Sequence, residues 1–265
     1  MQINPTPQLG LTNANTAQGV SFPTNSGGTS PGAAEGVRAD WNVRMNVSHE
    51  SGFVGGAGRM LVHNQVAEER TELVLFLPAS HAPGPARLEL ASAVVCSAKP
   101  GIAAAPGQTL SYRTEGSRAI ITIPILNMND WLYIDLTWTG AFPSGGVNYV
   151  GGQVPLGAFH PQLAIESVGP DGTRGLSLVG ARYEVEVGSD LGARVMLDGS
   201  DSDTQVHSRT SDDGKMTMHE FKSYGKAAIQ ARLAPPGAMT GSAGSGVTVP
   251  GHAGIAHAPV TSSSS

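Results

Sequence analysis

The chain has 265 residues, a length that suits one or two domains, with 35 Gly, 18 Pro and 5% aromatic residues. Charged residues make up 14% of it, well below the usual share of a soluble domain, and the formal net charge is -5. This composition argues against long helices, coiled coils and disordered polyelectrolytes, and the charge gives no pull toward nucleic acid or an anionic membrane. The single cysteine, Cys96, excludes an internal disulfide and a Cys-rich zinc cluster.

Residues 1–37 read as a disordered tail, with Glu35 as the one charged residue up to Gly36. Residues 234–265 read as a second disordered, low-complexity tail without a charge, ending in a run of serines. Between them, residues 38–233 are long enough for one sandwich with a hydrophobic core. No window approaches a membrane span, and no basic n-region or apolar h-region opens the chain. These features favour the cytoplasm.

In chain order, Trp41, Val43, Met45 and Val47 alternate with polar residues, the period of a strand with one buried face. The glycine-dense Gly52–Gly58 stretch reads as a turn, followed by a strand over Arg59–Asn64. Thr71–Leu77 is a strand stopped by Pro78, and Arg87–Leu90 leads toward Val94 and Val95. Ser111–Thr114 and Ala119–Ile125 flank a hairpin turn at Glu115-Gly116-Ser117. Trp131–Trp138 is the strongest strand, with Leu132, Ile134, Leu136 and Trp138 on one face.

A Gly-rich connection spans Gly140–Gly157. Strands then follow at Arg182–Val187, Ala193–Leu197, Lys215–Phe221 and Ala227–Leu233. Turn signals about every ten residues predict an all-β, antiparallel β-sandwich.

No catalytic, cofactor-binding or metal-ligating residue is assigned, and no cofactor is expected. The eight histidines, His49, His63, His81, His160, His207, His219, His252 and His257, lack the four-residue pairing of a helical zinc site. They read as solvent-facing or turn residues. There is no nucleophile elbow, P-loop or dinucleotide fingerprint. Cys96 reads as a small buried hydrophobe. The acidic stretches Asp198–Asp203 and Asp212-Asp213-Gly214 read as hairpin turns, with weak cation binding as the alternative.

Three stretches, taken in order, carry a family resemblance. They are Gly58–Asn64 running into Glu72–Pro78, then Gly157–Ile165 with its Phe159-His160-Pro161 core, then Tyr183–Gly199. In strand order and spacing, residues 40–233 resemble the N-terminal β-sandwich, or saddle, domain of the aminopeptidase N-like zinc metallopeptidases. The catalytic domain, with its zinc-binding helix and substrate-anchoring loop, has no counterpart, so no zinc or catalytic residue carries over. His160 stands where relatives have a second aromatic residue.

The resemblance implies a non-catalytic interaction domain that binds a protein partner, a peptidase-like catalytic subunit being one candidate. The alternative is a surface or extracellular structural or carbohydrate-binding sandwich, with sugar or calcium held by loops at 140–160 and 198–213. A hydrolase with a loop-built site is a third reading. Pro161 is expected to hold His160 extended, Phe159 to be a buried anchor, and His160→Ala to leave stability nearly unchanged.

Overall fold

The structure, a computed structural model, describes residues 36–81, 85–143, 152–168, 174–198, 205–226 and 228–237. Residues 1–35 and 238–265 of the expected disordered tails, residues 144–151 of the 140–157 connection, the Asp198–Asp203 stretch beyond Asp198, Ala227, His252 and His257 lie outside the described residues, whereas Val37 and Ala234, expected in the tails, are buried strand residues.

The alternating segments become strands. The first half of the chain supplies β1 (Val37–Ser48), β2 (Phe53–Asn64), β3 (Arg70–Phe76), β4 (Arg87–Ala98), β5 (Tyr112–Glu115), β6 (Arg118–Leu126) and β7 (Trp131–Ala141). The second half supplies β8 (Val154–Pro155), β9 (Gln162–Val168), β10 (Arg174–Leu178), β11 (Ala181–Asp190), β12 (Arg194–Leu197), β13 (His207–Thr210), β14 (Met216–Lys226) and β15 (Ala231–Ala234). One helical turn, α1 (Pro78–His81), begins at the proline that ends β3, where the missing N–H costs nothing. A 3-10 turn covers Leu156–Phe159.

Three sheets form, in the orders β13-β14-β11-β1-β2-β7-β4, β10-β9-β3-β6-β5 and β12-β15-β8. The expected all-β sandwich is therefore present. Every pairing between these strands is antiparallel but one: β1 runs parallel to β11, with Trp41 opposite Tyr183. A parallel neighbour needs a long crossover, and here all five strands of the second sheet are threaded between the two.

The core lies between the large sheet and the five-stranded sheet. Leu132, Ile134, Leu136 and Trp138 of β7 are buried as their alternation requires, and Leu73, Leu75, Ile121, Ile123 and Leu163 face them from the second sheet. The Glu115-Gly116-Ser117 hairpin stands as expected, joining β5 and β6.

The Gly52–Gly58 turn does not. The chain turns before Phe53, and Gly55, Gly56 and Gly58 lie inside β2, paired with β1 and β7. The reason is the indole of Trp138. A Cβ on Gly56 would overlap that ring, and one on Gly58 would sit 3.2 Å from it. The glycines make room on the inward face for the largest side chain in the core.

Asn64 closes β2 as a fully buried polar residue. Its side-chain amide donates to the carbonyls of Glu68, at 2.8 Å, and Leu126, at 3.0 Å. The loop after β2 is thereby tied to the end of β6, and the amide is satisfied in the core.

Candidate binding face of the large sheet

On each strand of the large sheet every second residue points away from the core. The outward side chains fall into two contrasting halves. Over β2, β7 and β4 they are mostly small or apolar, Phe53, Ala57, Leu61, Tyr133, Thr137 and Val94 among them, with Arg59 and Asp135 near the middle and Arg87 and Glu89 at the start of β4 as the charged exceptions. Phe53 is 39% exposed. Trp131 and Tyr133 meet edge to face, with ring centroids 5.6 Å apart. Ser92 and Thr137 hydroxyls lie 2.6 Å apart across the β4–β7 pair. Arg59 and Asp135 neutralise each other through a two-pronged pair at 2.7 and 3.0 Å. That pairing raises the Arg59 pKa above its usual range.

Over β1, β11, β14 and β13 the outward residues are mostly charged and polar, with Met216 and Met218 of β14 as apolar exceptions. Register places Arg44 opposite Glu186, Glu186 opposite Glu220, and Glu220 opposite His207, a row across four strands. A second row sets Asn42 beside Glu184 and Glu184 beside Lys222. The Glu184 carboxylate accepts from Lys222 at 3.2 Å and from Arg182 at 3.0 Å, and both cations hold its pKa below the usual carboxylate range. The Arg182 guanidinium lies 5.3 Å from the Tyr224 ring centroid. These rows line a groove of about 440 Å³ that Gln205 and Tyr224 also border.

The residues singled out in the sequence are placed as follows. Phe159 is fully buried, as expected, and its carbonyl accepts from the Trp138 indole N–H at 2.9 Å. His160 has φ -126 and ψ 129, the extended geometry imposed by Pro161. It is also fully buried, which overturns the expectation that its loss would matter little to stability. Its ring makes edge contacts with Trp41, Trp138 and Tyr183, at centroid distances of 4.5, 5.3 and 5.5 Å. Neither ring nitrogen has a protein hydrogen-bond partner. Burial pushes its pKa down to about 3, so the ring is neutral. His160 fills an aromatic slot in the core.

The reading of the histidines as solvent-facing or turn residues also fails at His49 and His219. His49 is buried, with its backbone N–H donating to the Asp190 carboxylate and its Nε2 3.3 Å from the Leu233 carbonyl. His219 sits between two hydroxyls, with Nε2 3.2 Å from Ser189 Oγ and Nδ1 2.8 Å from Ser208 Oγ. Burial lowers its pKa. Ser189 is wholly enclosed, and its hydroxyl also lies 3.2 Å from the Thr217 carbonyl. A substrate cannot reach it, so this Ser–His–Ser chain joins β11, β14 and β13.

Cys96 is half-buried at a bulge in β4, more exposed than a core residue. Asp213 serves the β13–β14 turn, where its carboxylate accepts from Ser211 Oγ and Lys215 N, and the Ser211 bond lowers its pKa. Among the described residues no group of three or more His, Cys, Asp or Glu side chains converges on one point. No helix among them is long and apolar enough to cross a membrane.

In comparison with solved structures, the chain is similar to M1 zinc metallopeptidases. The enzyme from Deinococcus radiodurans matches at 15% identity and a TM-score of 0.47, over 76% of this chain and 43% of that one. The same figures hold for its crystal structure with a bound Tyr-Ser-Ala substrate. A two-domain M1 zinc metallopeptidase bound to L-arginine matches at 13% identity and the same TM-score and coverage. The chain spans less than half the length of these enzymes. No family model and no curated protein matches it.

No local pattern in the sequence announces the groove. Its residues come from segments up to 182 positions apart, Asn42 to Tyr224. The available signal was that the outward positions of Arg182–Val187, namely Arg182, Glu184 and Glu186, are all charged in a chain so poor in charge.

Proposed function

We propose that this chain is a non-catalytic β-sandwich binding domain that takes a protein partner on the outward face of β2, β7 and β4. The observation that carries this reading is the character of that face. It presents Phe53, Leu61, Trp131, Tyr133 and Val94 among small hydroxyl and alanine side chains, its central Arg59–Asp135 pair is already neutralised, and its other charges, Arg87 and Glu89, stand on the edge strand β4. Protein interfaces are depleted of charge and enriched in aromatics at their centres, and a broad apolar patch on a sheet marks such a surface. A peptidase-like catalytic subunit, the partner implied by the strand-order resemblance, is the first candidate.

The test replaces Tyr133 by a photo-crosslinking amino acid in the full chain and identifies the captured protein by mass spectrometry. One defined protein is expected, and its capture should disappear when Thr137→Arg places an unpaired charge in the centre. Capture that survives Thr137→Arg, or that yields only background, refutes the assignment. The same preparation, titrated with zinc, is expected to leave aminoacyl substrates intact; turnover in proportion to bound zinc would overturn the non-catalytic reading.

A further inference from the structure

We infer that the groove over β1, β11, β14 and β13 is a binding site for a short, neutral oligosaccharide. This site is separate from the apolar half of the face and does not depend on the partner proposed for that half.

The first argument is size and shape. At about 440 Å³ the groove falls in the range of small-ligand sites, roughly 300–1,000 Å³. It is too small for the broad contact of a folded partner.

The second argument is charge. The groove's lining carries three carboxylates, Glu184, Glu186 and Glu220. Each has a cation within reach: Lys222 and Arg182 for Glu184, Arg44 for Glu186 at 3.6 Å, and Arg209 for Glu220 at 3.7 Å. Both signs are therefore interleaved along the floor, and a strongly anionic or cationic ligand gains at one residue what it loses at the next. Exposed pairs of this kind contribute little to stability. What they do is hold long side chains upright on the sheet.

The third argument is the hydrogen-bonding inventory. Carboxylates only accept, guanidinium and ammonium groups only donate, and Asn42 and Gln205 do both. A sugar hydroxyl both donates and accepts, and neighbouring hydroxyls on a ring match the two-pronged spacing of a carboxylate, amide or guanidinium. An uncharged polyol is thus the ligand class that can use donors and acceptors of both signs at once. At the rim, Tyr224 is 51% exposed. Its ring offers a flat apolar surface to the C–H face of a pyranose, an amphipathic contact that costs little conformational entropy.

The experiment exposes the full chain to an array of neutral di- to tetrasaccharides built from glucose, mannose, galactose and N-acetylhexosamines. Sialylated and sulfated oligosaccharides and an acidic peptide serve as the charged arms. Affinities of any hits are then measured by calorimetry. A neutral series should bind, with little change between low and high salt. Tyr224→Ala and Glu186→Gln should each weaken it at least tenfold, while Arg113→Ala, on the second sheet, leaves it unchanged. All three positions are on the protein surface, and melting temperatures verify that the fold persists. Absence of neutral-sugar binding at millimolar concentration overturns the inference, as does tighter binding of the acidic sugars or the peptide. Binding that is indifferent to both groove variants overturns it too.

Discussion

His160 makes the fold's stability depend on mild acid. In the unfolded chain its imidazole titrates near pH 6.5, whereas in the core burial pushes its pKa down to about 3. Between those values the unfolded state binds a proton that the folded state refuses. The contribution is therefore fully present above the unfolded pKa and is lost as pH falls through that window. The slope approaches about 1.4 kcal/mol per pH unit, which makes roughly 2 kcal/mol between pH 7 and pH 5. For a domain of this size that is a fall in melting temperature of about 4–8 °C. It is a sizeable part of the roughly 5–15 kcal/mol that holds a domain together.

The ring is packed by Trp41, Trp138 and Tyr183, none of which is charged at these pH values, and burial raises the Tyr183 pKa further. The stabilised carboxylates, Glu72, Glu184, Asp130 and Asp213, all have lowered pKa values. Their contributions are lost as pH falls from the ordinary carboxylate values toward the lowered ones, a range that lies below the window from pH 7 to pH 5. His219 shifts in the same direction as His160 and remains as a background. His160→Phe keeps an aromatic ring in the slot and removes the titration. Thermal or urea melts of both proteins at several pH values are the assay. The natural chain should lose about 2 kcal/mol more than the variant between pH 7 and pH 5. Parallel pH profiles would refute the argument.

Two further expectations concern the core around the same ring system. Gly56→Ala places a methyl group inside the Trp138 indole and should destabilise by about 3 kcal/mol, the upper part of the overpacking range, seen as a lower urea midpoint at an unchanged slope. A midpoint within error of the natural chain would mean that Trp138 does not need the glycine. Phe159→Ala removes a fully buried side chain and should cost about 3–5 kcal/mol in the same assay; a loss below 1 kcal/mol would show that Phe159 anchors nothing.

The parts of the fold that were legible in sequence are those set by local alternation. The inward Leu132, Ile134, Leu136 and Trp138 could be read from a period of two, because one strand with one buried face needs no other information. The β5–β6 hairpin was equally legible, since its turn chemistry lies within three residues. The glycines of β2 were misread because glycine ordinarily marks a turn, whereas here the governing constraint is an indole 82 positions away from Gly56. The burial of His160 was hidden for a similar reason. Its three aromatic neighbours come from β1, β7 and β11, and no local pattern announces that they converge. The parallel β1–β11 pairing, which brings Asn42 and Arg44 beside Glu184 and Glu186, is likewise a property of topology.

That pairing shapes the whole outward face. β1 stands at the centre of the seven-stranded sheet, with the glycine-rich, charge-poor β2 on one side and the charged β11 on the other. A chain with only 14% charged residues has thus gathered many of them on one half of one face, in pairs of opposite sign, most of them cross-strand. Spread evenly, the same charges would keep every surface solvated. Gathered, they leave β2, β7 and β4 with an outward surface that is mostly small and apolar apart from the Arg59–Asp135 pair and Arg87 and Glu89 on β4. Because the charges neutralise one another where they stand, neither half projects a strong field beyond about a Debye length, ~8 Å in physiological salt. On the two proposals above, a ligand of this domain would be selected at contact, by shape and hydrogen bonding on the polar half and by apolar burial on the other, rather than by attraction from a distance.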